Sequence, residues 1–546
     1  MSVRNGIVLL LVLSTVSFLA GCGGNGNPTP IPPPSGSFTV ADLSGTYVFS
    51  VSGLDFAGAP VAIVGAFIAN GKGGITGGTI DINDAQTTPV FAVPINNNGF
   101  YNVSVDGRGQ MTVGTPSNNN TNPFGTNLTF DFVITSSSHG LIIEFDGNAS
   151  GSGSFDLQDT TVTQASLAGP YAFSFSGAGS SGAPLSTVGA FTLDQNGNIS
   201  LGGIDINDGG IADPYLNQGL NGVVTLGPTS TPSTTFAPSA FQALTFDVYA
   251  VDATHLKFIE MDSGPIVSGD AFSQTTPILN AGTMAFTLTS FNPQNPFAAG
   301  GYLATDGGGG ITGTEDYNNG VAPSTSAINF TGNYSNSGSV TPSRYVLNNF
   351  LSFVGGSQYV AYPSSGGLLL MEADDLGITV GAAYLQTTNV FASSQGYGMN
   401  LSGFNLGQST GFEAEVDDIA QFSTTSTVTG ILDENFAPGP DGSALVPNPD
   451  LPIVDVVYGP VDPSGRYSFE AAVGDNNATS LNTGFLLTLY SADGTTFPFI
   501  ESDSGQVATG VIVLQSAPSA TPGAVRTHMF ITPHLSRPHA VRKKQK

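Results

Sequence analysis

The chain has 546 residues, of which 72 are Gly, none is Trp and one is Cys; only 10% are charged, and 12 Lys and Arg face 40 Asp and Glu. One cysteine excludes a disulfide framework, a thiolate metal cluster and, if it is modified, a cysteine nucleophile. The Gly-rich, charge-poor composition excludes long surface helices and favours short strands joined by turns.

The chain opens MSVRNGIVLLLVLSTVSFLAGC. Arg4 precedes an apolar run too short to span a bilayer comfortably, which predicts a secretory signal over residues 1–21. Leu19-Ala20-Gly21 before Cys22 resembles the lipobox of bacterial lipoproteins. That resemblance implies cleavage before Cys22, acylation of its thiol and amine, and secretion through the inner membrane. Gly23 implies transfer to the outer membrane, since an Asp there would retain enteric members at the inner one. Residues 22–40 are Gly/Asn- and then Pro-rich and are expected to act as a tether.

Setting aside Arg4 and six basic residues in Arg526–Lys546 leaves Lys72, Arg108, Lys257, Arg344 and Arg466 against every acid, so the body carries about −35. Such a body repels phosphate backbones, and no nucleic-acid partner is expected. The tail, residues 519–546, reads either as a solvated end or as a contact for anionic lipid head groups.

Four segments begin alike, LSGTYVFSVSG at 43, LAGPYAFSFSG at 167, LNAGTMAFTLTS at 279 and SSQGYGMNLSG at 393, and four end alike near residues 141, 257, 369 and 498. The repeat predicts four β-domains, at 41–160, 161–276, 277–388 and 389–518. Within copy one, eight or nine strands are expected: Thr46–Gly53, Val61–Ala69, Gly74–Asn83, a weak Pro89–Ile95, Phe100–Val105, Gln110–Gly114, Leu128–Thr135, Leu141–Asp146 and Ser152–Leu157. Tyr47, Phe49 and Val51 share one face, with Val48, Ser50 and Ser52 opposite. Strands in such an order, joined by hairpin turns, predict an all-β up-and-down barrel-like domain, with a β-sandwich as the alternative. The layout resembles small avidin-like or lipocalin-like barrels in topology, and the set of repeats resembles uncharacterised tandem-repeat surface lipoproteins.

Three motifs invite chemistry. DQNGNISLGGID spaces Asp194, Asn196, Asn198 and Asp205 like a calcium loop, but Ile199 stands where such a loop needs Gly, and Lys72 fills a ligand place in copy one. It reads as a hairpin turn, with weak Ca²⁺ binding as the other reading and no cofactor expected. The recurrent pairs Glu144/Asp146, Glu260/Asp262, Glu372/Asp374 and Glu501/Asp503 have the spacing of glycosidase carboxylates on a strand. Recurrence in all four copies favours a structural role, the Glu accepting turn amides. DIND at 81 and 205, with DYNN at 316 and DEN at 433, reads as Asx-turns. No catalytic residue is assigned. The function expected is a non-enzymatic lipid-anchored envelope scaffold or adhesin. Its partners would be the membrane through the lipid anchor, and glycans or other envelope components. A carrier using barrel lumens is the second reading and a glycoside hydrolase the third.

Overall fold

The computed structural model describes residues 36–116, 123–209, 213–227, 234–274, 278–291, 296–324, 326–338, 343–353, 357–392, 394–406, 413–424, 428–436, 447–474 and 481–516. Cys22 and the tail 519–546 lie outside them. The described chain is strand and turn, apart from two single 3₁₀ turns at Val40–Asp42 and Gln164–Leu167.

The first copy places its strands at Ser44–Asp55, Pro60–Asn70, Gly74–Asp84, Val90–Pro94, Gly99–Tyr101, Arg108–Gly114, Asn127–Ser136, His139–Glu144 and Ala149–Leu157. All nine expected strands are present. The weak fourth and the fifth divide the edge of Gly74–Asp84 between them: Val90–Pro94 pairs with its later part and Gly99–Tyr101 with its start. The first strand pairs antiparallel with both the second and the last, Tyr47 lying opposite Phe67 on one side and Leu157 on the other. This double pairing closes the sheet and leaves no sandwich edge. The other three copies, Gly169–Ser273, Gly282–Leu385 and Gly396–Leu514, are closed barrels of eight antiparallel strands each.

Closure demands a tight bend where the last strand meets the first. Gly153, Gly269, Gly381 and Gly510 occupy that place, opposite Val51, Phe175, Leu288 and Leu401. A Cβ on any of them would come within 1.7–2.2 Å of a carbonyl oxygen of the first strand. Only glycine fits so close a backbone approach.

The inward faces are aromatic. Tyr47 and Phe49 meet Phe67, Phe130 and Phe155 in barrel one. In barrel two Phe173, Phe175, Phe236, Phe246 and Phe258 pack with ring centroids 4.8–5.9 Å apart. Side chains fill these interiors, as expected of an eight-stranded barrel.

The outward faces do not all meet water. Val48 and Val64 of barrel one pack on Tyr249, Val251 and Ile259 of barrel two. Val188 and Phe272 of barrel two lie in one apolar cluster with Val360 and Leu369 of barrel three, and the cluster runs on to Tyr490 of barrel four. Ile419 and Val511 of barrel four pack on Val133, Leu141 and Ile143 of barrel one. The four barrels therefore form a closed ring, with barrel four seated against barrel one. Each barrel keeps the same end up. One rim carries both ends of the described chain, the linkers and, in barrel one, the turns at Asn70–Gly74 and Ser136–His139; the other carries the turns at Asp55–Pro60 and Glu144–Ala149.

Candidate functional site

The calcium-like loop is a hairpin. Asp194 accepts the N–H groups of Asn196 and Asn198 at 2.8 and 2.9 Å and the Asn198 amide at 2.9 Å, while Gly197 takes φ +86°. Asn70 and Asp306 do the same for Lys72/Gly74 and Gly308/Gly310. These are three copies of one Asx-turn. Asp205, the fourth presumed ligand, is fully buried and held by Arg344 of barrel three, so the four candidates do not converge. Among the described residues no group of three or more His, Cys, Asp or Glu is placed to hold a metal.

The Glu-x-Asp pairs sit where two barrels meet. Glu144, Glu260, Glu372 and Glu501 are at most 2% exposed. Glu144 and Glu260 accept the N–H of the Asp two residues on, Glu372 accepts Thr379 N–H and hydroxyl, and the Gln506 amide lies 2.6–3.1 Å from Glu501. Their Asp partners brace backbone: Asp146, Asp262 and Asp374 accept Thr129, Thr245 and Gln358 N–H, and Asp503 accepts Gly505 N–H. Burial pushes Glu260 up to about 10 and Glu372 up to about 8.

What covers each Glu is an asparagine of the neighbouring barrel. Asn83 donates to the Glu260 carbonyl at 2.6 Å, Asn207 to Glu372 at 3.1 Å, Asn318 to Glu501 at 2.9 Å and Asn435 to Glu144 at 2.8 Å. These asparagines belong to the DIND, DYNN and DEN motifs. The Asx-turn reading of the motifs' first Asp and their Asn is therefore corrected: those residues lie within the third strand, facing outward onto the next barrel. Asn318 makes the expected turn as well, accepting Gly320 N–H, and so does the later position Asp84, accepting Gln86 N–H.

The first Asp of each motif binds the next barrel too. Asp81 accepts the Tyr249 hydroxyl at 2.5 Å. Asp205 takes Arg344 at 2.7–3.0 Å and Tyr362 at 2.6 Å. Asp316 takes Arg466 at 2.6–2.7 Å and Tyr490 at 2.8 Å, and Asp433 takes Arg108 at 2.7–2.9 Å. In barrels one, two and four a bulge in the following strand puts Ala92, Asn217 and Asp450 at φ +47°, +53° and +58°. Each aims its N–H at the Asp, at 2.5, 2.6 and 2.8 Å. A positive φ at a non-glycine residue is strained, and here it supplies a donor to a buried carboxylate.

A glutamine ends each copy and crosses to the next barrel. Gln158 donates to Ala250 O, Gln274 to Pro363 O, Gln386 to Ser491 O and Gln515 to Asp106 O and Ile134 O. The last of these returns to barrel one and completes the circle.

Four of the five basic residues in the body are distributed one per seam: Lys257, Arg344, Arg466 and Arg108. Lys257 replaces arginine between barrels one and two. Its ammonium lies 3.1 Å from Asp270 and 3.5 Å from Asp156, and these acids also hold His255 at 2.6 Å and His139 at 2.7 Å. Burial works against the charge on Lys257, but Asp270 and Asp156 hold its pKa up. Burial likewise raises Asp156, and His139 and Lys257 overcome it to hold the carboxyl far below the usual range. Sequence reasoning missed the seam asparagines, glutamines and cations as partners. Their signal was recurrence: at least one basic residue in each copy of an otherwise acidic body.

No protein-family model and no curated protein matches the chain. Among solved structures it is similar to intact Ap-TbpB with its N and C lobes, at 9% identity over 69% of this chain and 84% of that one, TM-score 0.17. It is also similar to the NanB sialidase of Streptococcus pneumoniae, at 10% identity over 90% and 99%, TM-score 0.12. A third likeness is to Pseudomonas aeruginosa OccK8 (OprE), at 9% identity over 86% and 96%, TM-score 0.10. Scores this low establish no common fold, and the chain stands as four tandem β-barrels docked in a ring.

Proposed function

We propose that the chain is a non-enzymatic scaffold of the bacterial cell envelope, anchored to the outer membrane through acylated Cys22, whose ring presents four barrels to glycans or other envelope components. The observation that carries this reading is where the recurrent polar residues go. The recurrent acids, asparagines and glutamines described above are bonded either within their own turn or across a seam, and aromatic side chains pack the interiors of barrels one and two. Recurrence in this chain serves assembly. The docked barrels hold four similar rims side by side, so weak contacts at each rim add through effective concentration.

Two measurements test it. Metabolic labelling with a palmitate analogue should mark the wild-type chain in the outer-membrane fraction and leave Cys22→Ala unlabelled and released. A glycan array probed with residues 36–516 should return binding, and parallel assays on polysaccharide substrates should return no turnover. Labelling that persists in Cys22→Ala, or turnover of any glycan, removes the proposal.

A further inference from the structure

The seam between barrels four and one differs from the other three in one respect: no linker crosses it. Barrels one and two are joined through Leu157–Gly169, two and three through Ser273–Gly282, and three and four through Leu385–Gly396, whereas barrel four holds barrel one by non-covalent contacts alone. Those contacts follow the plan of the linked seams. Arg108 of barrel one, 6% exposed, reaches Asp433 at 2.7–2.9 Å and Asp450 at 2.8 Å. Asn435 donates to the carbonyls of Glu144 and Ala149 at 2.8 and 2.9 Å, and Gln515 to those of Asp106 and Ile134 at 2.7 and 3.0 Å. Beside them Val133, Leu141 and Ile143 pack on Ile419, Val511 and Val513, and a Cβ on Gly398 would stand 2.9 Å from Val133 Cγ1.

The two faces are complementary and unlike each other. Barrel four brings amide donors and carboxylates, and barrel one brings carbonyls and a guanidinium. A contact of this heterologous kind is satisfied equally by the same chain or by another copy of it. Within one chain the linked seams keep the two faces together at an effective concentration of roughly millimolar, so a dilute chain closes on itself. A second copy competes when the protein reaches that concentration, or when a chain's own two faces are mismatched.

We infer that barrel four also accepts barrel one of a second copy, exchanged reciprocally so that two chains build two four-barrel rings with every seam retained. Barrel one carries its own core, which runs from Phe38 to Phe155, and so moves as a unit. Residues 158–168 are the hinge and extend to at most roughly 40 Å. Gln158 bonds back to Thr46 of barrel one and Gln164 to Val224 of barrel two, which places the pivot between them. Exchange of an identical element loses no native contact outside the hinge, which makes it a low-cost route to a dimer.

The test exchanges charge across the closing seam in the full chain, with Cys22→Ala throughout so that no acyl anchor gathers copies. Arg108→Asp sets carboxylates face to face, and Asp433→Arg sets guanidiniums face to face. Each variant alone should be monomeric by light scattering, with an unchanged circular dichroism spectrum and a lowered Tm. Refolded together from urea, the two should give a discrete species of twice the chain mass, because barrel one of the first then meets barrel four of the second with opposite charges and the remaining pair is wild type. Both substitutions in one chain should restore the monomer and its Tm. Wild-type chain refolded at roughly 1 mM should give the same dimer, and Arg108→Asp alone should abolish it. A mixture that stays monomeric, or no wild-type dimer at that concentration, overturns the inference. So does a dimer that persists in Arg108→Asp alone, which would use another surface, or a ladder of longer head-to-tail rows in place of a discrete dimer.

Discussion

The seam between barrels one and two and the seam between barrels two and three share a backbone plan and differ in charge. In both, an asparagine in the third strand of one barrel caps the carbonyl of a buried Glu in the next, and a terminal glutamine crosses over. In the second seam Asp205 meets a guanidinium and a phenol. In the first, Asp81 meets a phenol, the Ala92 N–H and the Asp247 side chain but no guanidinium, burial pushes it up to about 6, and the cation has moved to Lys257, beside two acid–imidazole pairs. Geometry is repeated, while electrostatics are solved afresh at each seam.

This comparison can be broken. Replacing Arg344 with Met leaves Asp205 buried with one phenol and one N–H; urea denaturation should show a loss of about 3–5 kcal/mol. A loss under about 1 kcal/mol would mean that apolar packing alone holds the seam. Lys257→Met should cost less, about 2 kcal/mol, because His139 and His255 still touch the two acids it leaves behind. If the two variants rank the other way, the imidazoles do not share the load.

Stability should also depend on pH. Burial raises Glu260, Glu372, Asp131 and Asp81, to about 10, 8, 8 and 6. Acids raised in the folded state contribute stability that is full below their unfolded values, near 4, and lost as pH climbs through the folded ones. Asp156 and Asp270 are lowered, so their contribution is lost only in stronger acid. Calorimetry should therefore find the highest Tm in mild acid and a fall toward pH 9, with Glu260→Gln flattening the alkaline limb. A flat profile in the wild type would contradict this burial. Smaller again, Asn318→Ala should remove the bonds to Glu501, Asp503 and Gln506 carbonyls and cost about 1–2 kcal/mol. Asp194→Ala, confined to one surface turn, should change Tm least of all.

The barrels were legible because alternation is local: Tyr47, Phe49 and Val51 announce an inward face within five residues. The seams were not, because Val48, Ser50 and Ser52 look the same whether water or another barrel covers them. Ser50 in fact meets the Lys257 ammonium at 3.3 Å. Asp205 was drawn into a ligand set by its distance from Asp194 along the chain, whereas its partner lies 139 residues away. The glutamines ending FDLQ, AFSQ, AYLQ and IVLQ stood in plain view, but a side chain that acts only after two domains have met leaves no periodic trace.

The hydrogen bonds from Gln515 back to barrel one have a consequence for copy number. An open row of repeats exposes a mating face at each extremity and needs atypical end units to stay soluble. Among the described residues there are no such units, and the first and last copies satisfy one another. In this arrangement four copies leave neither mating face of the ring uncovered.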